Sequence, residues 1–236
     1  MRPRPGFSIY RFASFLLGTL CVWIAISPVE SLVHLSLTFH MVQHLLLMAI
    51  APPLILFGEP ILLFYRPVMS FLRWNVVKRM CHLLTHPAFC WLCASFALII
   101  WHIPIIFEHA MRWHWLHLLE RGSFFGAGLL FWWPVLQPWP SIARWPRGVI
   151  PLYLFGATLP CDALSAFLVF CDRVVYSSLH TPRALNLSPI QDQDFAAALM
   201  WVTETIILMV PAVVVTLKLL APRSSRNDAF PVSNVT

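Results

Sequence analysis

Charge is what this sequence has least of. Only 11% of its 236 residues are Asp, Glu, Lys or Arg, against roughly 25% in a soluble domain, which excludes an ordinary water-solvated globule. No glycine-rich nucleotide loop and no nucleophile–base–oxyanion set can be read, so nothing points to an enzyme. Internal repeats, low-complexity tracts and a soluble domain are also missing. The six cysteines form no disulfide framework: Cys161 and Cys171 lie too far apart on one helix to pair, and Cys21 reads as apolar packing. Cys90 and Cys93, in "CHLLTHPAFCWLC", sit one turn apart and read as small core residues rather than as a metal or redox site.

What is present is hydrocarbon. The chain is 59% hydrophobic, and apolar runs near the ~20 residues that span a bilayer recur about six times. They are placed near Arg11–Ile26, Thr38–Phe57, Ala88–Phe107, Ser123–Gln137, Val149–Cys171 and Phe195–Leu220, the fourth with a start nearer Trp115 as the alternative. The expected fold is therefore all-α, a single polytopic membrane bundle over residues 1–236, with its transmembrane core at about 11–221 and a short cytoplasmic tail at 222–236. Pro104, Pro134, Pro151, Pro160 and Pro211 fall inside or at the ends of spans, where membrane helices tolerate them. Arg2, Arg4 and Arg11 before an apolar run resemble a signal peptide, but Pro28 after "AIS" argues for an uncleaved first helix.

Lysine and arginine favour the cytoplasmic side. With both termini cytoplasmic, most basic residues fall inside: Arg2, Arg4, Arg11, Arg66, Arg73, Lys78, Arg79, Arg144, Arg147, Lys218, Arg223 and Arg226. Arg112, Arg121, Arg173 and Arg183 are left outside. The net charge of +6 is then an orientation signal and needs no nucleic-acid partner. Trp132, Trp133, Trp139 and Trp145 at the inner face, and Trp101, Trp113 and Trp115 at the outer, read as interfacial belts.

This orientation gathers every histidine except His82 and His86 toward the outer side: His34, His40, His44, His102, His109, His114, His117 and His180. His40 and His44 share one helical face about 6 Å apart along the axis, with Met48 continuing the stripe and Met41 beside it. Imidazole ligates copper and zinc, and thioether sulfur favours Cu(I). Asp162 and Glu204 add acids to the apolar interior. "SPIQ" predicts a helix start, with Ser188 as N-cap, Pro189 first in the helix and Gln191 closing a capping box; Asp192 and Asp194 then lie on its exposed first turns.

Four stretches, "HMVQHLLLMAIAPPLILFGEP", "WHIPIIFEHAMRWHWLHLLE", "GLLFWWPVLQPWPSIARWPRGVIPLYLF" and "LSPIQDQDFAAALMW", together resemble the Bacillus-type CtaG family of cytochrome c oxidase assembly factors, in order from about Thr38 to Trp201. The family pattern falls on His40, Gln43, His44, Pro52, Pro53, Gly58, Pro60, Trp101, His102, Pro104, His117, Glu120, Trp132, Trp133, Pro134, Asp192, Gln193, Met200 and Trp201. The sequence departs from it at Arg121, where relatives carry histidine, at Asp194, where they carry glutamine, and at Asp162. The resemblance implies a polytopic protein of the bacterial cytoplasmic membrane that serves a haem–copper oxidase and handles copper. Its partners would be oxidase subunits, a periplasmic copper chaperone and membrane lipid.

On this reading His40, His44 and His102 ligate Cu(I), with His117 or a methionine completing the shell. Gln43, Met48, Glu120, Asp192, Gln193 and Met200 support them, Glu120, Asp192 and Gln193 by orienting imidazoles. Two other readings remain open: a b-type haem electron-transfer protein holding its cofactor between facing helices, and a scaffold for an oxidase subunit that uses its polar residues only for packing.

Overall fold

The computed structural model describes residues 8–59, 74–138, 145–176 and 187–221. Arg2, Arg4, Pro60, Arg66, Arg73, Trp139, Arg144, His180, Arg183, Arg223, Arg226 and the 222–236 tail lie outside them. Every regular element among the described residues is helical. In chain order these are α1 (Ile9–Ile26), the single turn α2 (Glu30–Val33), α3 (Leu37–Gly58), α4 (Asn75–Leu84), α5 (Pro87–Trp101), α6 (Pro104–Arg112), α7 (His114–Leu136), α8 (Val149–Val169) and α9 (Pro189–Leu220).

Among the described residues, four helical segments are each long and apolar enough to cross a membrane: Ile9–Val33, Leu37–Gly58, Val149–Val169 and Pro189–Leu220. α4 and α5, bent by 57° at their junction, make a fifth if they form one span. The bend has a local cause. His86 leaves the helix, its Nδ1 accepts a hydrogen bond from Ala88 N, and Pro87 starts α5. The expected fourth span is α7, a 23-residue helix. It falls short of the apolar criterion because His114, His117, Glu120 and Arg121 occupy its first turns. The chain is an all-α membrane protein, and its surface shows why. Leu16, Leu20, Phe96, Phe155, Ile206 and Val210 face outward, while His40, Gln43, His117, Glu120, Asp192 and Gln193 are buried.

The third apolar run does not continue to Phe107. It ends at Trp101 because Pro104 has no N–H and holds Ile103 extended (φ −66°, ψ 123°), so α6 begins afresh. His109 therefore sits on α6, and His114 and His117 on α7. Trp101 and Trp132 are core residues rather than members of an interfacial belt; Trp113 and Trp115 are exposed as expected.

α8 packs along α9, α1 along the second half of α3, and α7 against both α3 and α5. Gly18 permits the α1–α3 approach, since a Cβ there would lie 2.8 Å from Ile55 Cγ1. An Arg11–Glu59 ion pair ties the start of α1 to the end of α3. Within α3, Leu45–Ile50 is wound as a π-helix. Pro52 and Pro53 lack the N–H groups that would bond the carbonyls of Met48 and Ala49, and proline rings crowd the carbonyl four residues back, so the wider turn relieves the clash. Such bulges recur at functional sites, and this one begins at the residue after His44.

Candidate metal centre

The site is built where the first half of α3 meets α7. His40 and His44 project from one face of α3 and lie together, with ring centroids 4.2 Å apart. Across from them, Glu120 of α7 brings one carboxylate oxygen, Oε1, to 3.3 Å from His40 Nε2 and 3.2 Å from His44 Nε2. His117, one turn earlier on α7, stacks toward His40 (centroids 5.8 Å, planes 15° apart) and holds Nε2 3.9 Å from the other oxygen, Oε2. His102, just past the end of α5, stands 5.7 Å from the His44 ring. Phe107 and Phe124 wall the cluster, at 4.8 Å from His40 and 4.0 Å from His44.

These groups are buried yet unpaired. The His40 and Glu120 side chains are fully enclosed. Among the described residues, no well-formed hydrogen bond reaches either ring nitrogen of His40 or of His44, either oxygen of Glu120, or Nε2 of His102 or His117. A buried polar group without a partner costs about 1–3 kcal/mol. Donor atoms of His40, His44 and Glu120 all lie within 4.8 Å of one another. One cation among them would take a lone pair from each of these three side chains at once.

A second layer holds the first. Glu30, on the turn between α1 and α3, pairs with Arg121 Nη1 at 2.6 Å, accepts from Gln43 Nε2 at 2.8 Å, and lies 3.6 Å from His117 Nδ1. Gln43 Nε2 also donates to the Ala25 carbonyl, and Arg121 Nε donates to the His117 carbonyl. On the opposite side Asp192 is buried, not exposed on its helix as its place near the N-terminus of α9 suggested. Its carboxylate accepts from Ser36 Oγ (2.7 Å), Leu37 N (2.7 Å), Thr38 N (3.3 Å) and Thr38 Oγ1 (2.6 Å). It thus caps α3, placing negative charge at the positive end of the helix that carries His40 and His44.

Residues 1–221 match the family model described as cytochrome c oxidase caa3 assembly factor. The chain belongs to that family. Neither a curated protein nor a solved structure matches it.

In this assembly-factor chain His40, His44, His102, His117 and Glu120 lie together, while Asp192 and Gln193 make their hydrogen bonds elsewhere. Glu120 stands among the donors instead of behind them, because α7 aims it between the two α3 imidazoles. His102 and His117 flank the triad rather than join it. Asp192 orients no imidazole: it anchors α3. Gln193 also touches none; it accepts from Val175 N (2.8 Å) and donates to the carbonyls of Leu168 (3.1 Å) and Arg173 (3.2 Å), pinning the turn after α8. Met48 and Met200 line a cavity beneath His44. Glu30 was missed altogether. It is the lone acid between the first two apolar runs, and that isolation was the available signal. Arg121, noted only as a departure from the family pattern, is the partner that Glu30 needs.

Around the α4–α5 junction the cysteine-containing stretch packs among the described residues. Cys90 Sγ donates to the Leu84 carbonyl, and His82 and His86 pack around Trp145.

Proposed function

We propose that this assembly factor binds copper through His40, His44 and Glu120 and gives it up to a haem–copper oxidase during assembly. The observation that carries the reading is the convergence of two buried, unpaired imidazole nitrogens on one unpaired carboxylate oxygen. Two imidazoles and a carboxylate suit copper or zinc. Copper is preferred because it stands at the top of the divalent affinity order and is what a haem–copper oxidase must acquire. His117 and His102, one ring away on either side, supply replacement ligands for an ion entering or leaving. Its role is delivery, not catalysis; the partners are oxidase subunits, a periplasmic copper donor and lipid.

In the bacterial cytoplasmic membrane both termini face the cytoplasm, following Arg11, Lys78, Arg79, Arg147 and Lys218, and the centre opens toward the outer face.

The test is His44→Ala in the full chain, purified in detergent and scored for bound copper, with oxidase copper and activity measured in the host membrane. The variant is expected to accumulate normally, lose its copper and leave the oxidase under-metallated. Normal accumulation with unchanged oxidase copper would overturn the proposal and leave the scaffold reading.

A further inference from the structure

The cavity beneath the centre has a donor set of its own. It lies among α3, α5, α7, α8 and α9, and most of its wall is hydrocarbon from residues such as Leu98, Phe131 and Leu208. Met48, Met200, His102 and Glu204 interrupt that wall. His102 is the informative one. Its Nδ1 lies 2.7 Å from the Leu98 carbonyl, which can only accept, so Nδ1 carries the proton. Nε2 is then left with its lone pair, buried and without a partner. Nothing about packing requires a bare imidazole lone pair on a residue that lines an apolar chamber. A volume of about 50 Å³ admits a few water molecules or a single ion stripped of most of its hydration.

We propose that this cavity is a second metal site, selective for a soft monovalent ion such as Cu(I), with His102 Nε2 and the thioether sulfurs of Met48 and Met200 as its ligands. The identity of the ion rests on the copper reading given above; the site itself rests on the cavity and its donors. Imidazole nitrogen and thioether sulfur are soft, neutral donors, whereas the His40–His44–Glu120 set includes a hard carboxylate. The two sets therefore prefer different ions or different oxidation states. Neutral ligands leave the charge of a bound monovalent ion uncompensated, and Glu204 lines the same cavity where it can balance that charge. His44 touches both places: it contacts Glu120 and lines the cavity. An ion could thus pass from one set to the other by ligand exchange, without meeting lipid.

The experiment uses the full chain in detergent, with Ag(I) as a redox-inert stand-in for Cu(I) and Zn(II) as the probe of the upper centre. Met48→Leu/Met200→Leu keeps side-chain volume nearly constant. Its Ag(I) affinity is expected to fall by more than the roughly 10–100-fold that losing an outer-shell partner costs, while Zn(II) binding persists. His40→Ala/Glu120→Gln should do the reverse. Equal Ag(I) affinity in the methionine variant and the parent would overturn the proposal. A second measurement needs no variant: X-ray absorption of Ag(I)-loaded, selenomethionine-labelled protein should show selenium neighbours around silver, and a shell of nitrogen and oxygen alone would overturn it. A parent chain that binds Ag(I) in the cavity but takes neither Zn(II) nor copper at the upper centre would instead count against the proposed function and leave the cavity site standing.

Discussion

Replacing Asp192 with alanine tests whether the candidate metal centre is held in place from a distance. The carboxylate accepts from two backbone N–H groups and two hydroxyls at the start of α3, and it is buried. The hydroxyls of Ser36 and Thr38 can rotate toward other acceptors; the N–H groups of Leu37 and Thr38 cannot. Stranding two buried donors that now bond a charged acceptor costs about 1.5–3 kcal/mol each. The net loss for Asp192→Ala should therefore be about 3–5 kcal/mol, above the 0.5–2 kcal/mol of an ordinary cap substitution. Asp192→Asn keeps one acceptor oxygen and should lose less, about 1–2 kcal/mol. Thermal unfolding in detergent, followed by helical circular dichroism, reads the stability. Because His40 and His44 ride on α3, copper affinity should also fall, by about 10–100-fold as for other supporting partners. If Asp192→Ala unfolds at the parent's temperature and binds copper as tightly, the cap positions nothing and the reasoning is wrong.

A Cβ on Gly128 would lie 2.6 Å from the Met48 carbonyl oxygen and 2.7 Å from Pro52 Cγ, so Gly128→Ala should destabilise by about 1–3 kcal/mol and disturb the π-helical turn; Gly126→Ala, with open space around it, is the control, and equal unfolding temperatures would refute the close contact. Arg121→Ala should cost about 1–2 kcal/mol, a value discounted because Glu30 is 24% exposed, and adding Glu30→Gln should restore part of it; strict additivity in the double-mutant cycle would show that the pair is not coupled. For orientation, a cysteine at Arg112 should react with an impermeant thiol reagent on intact cells while one at Arg147 should not, and the opposite pattern would invert the topology.

Much of the centre was legible because it is written in local spacing. His40 and His44 are four residues apart in an apolar run, and Glu120 follows His117 by three, so each pair had to share a helical face whatever the fold. The capping box at Ser188 and Gln191 was likewise local, and it is present. What spacing could not supply is which faces meet. Glu120 looked like a supporting residue because nothing in the sequence says that α7 directs it between the imidazoles of α3. Asp192 looked solvent-exposed because its partners, Ser36 to Thr38, are more than 150 residues away. Helix ends went astray where proline acted locally, at Pro104, and the short estimate of α7 followed from reading hydropathy alone across a helix whose first turns are polar.

The dependence of α3 on Asp192 also sets an order in time. Ribosomes deliver α3 to the membrane long before α9, so the nascent protein carries its paired histidines with an uncapped helix end until the final helix inserts. The centre cannot reach its finished geometry until synthesis is almost complete. A chain cut short anywhere before Asp192 would lodge in the bilayer with its paired imidazoles on an unanchored helix, and the finished His40–His44–Glu120 cluster is thereby reserved for molecules that have been made to the end.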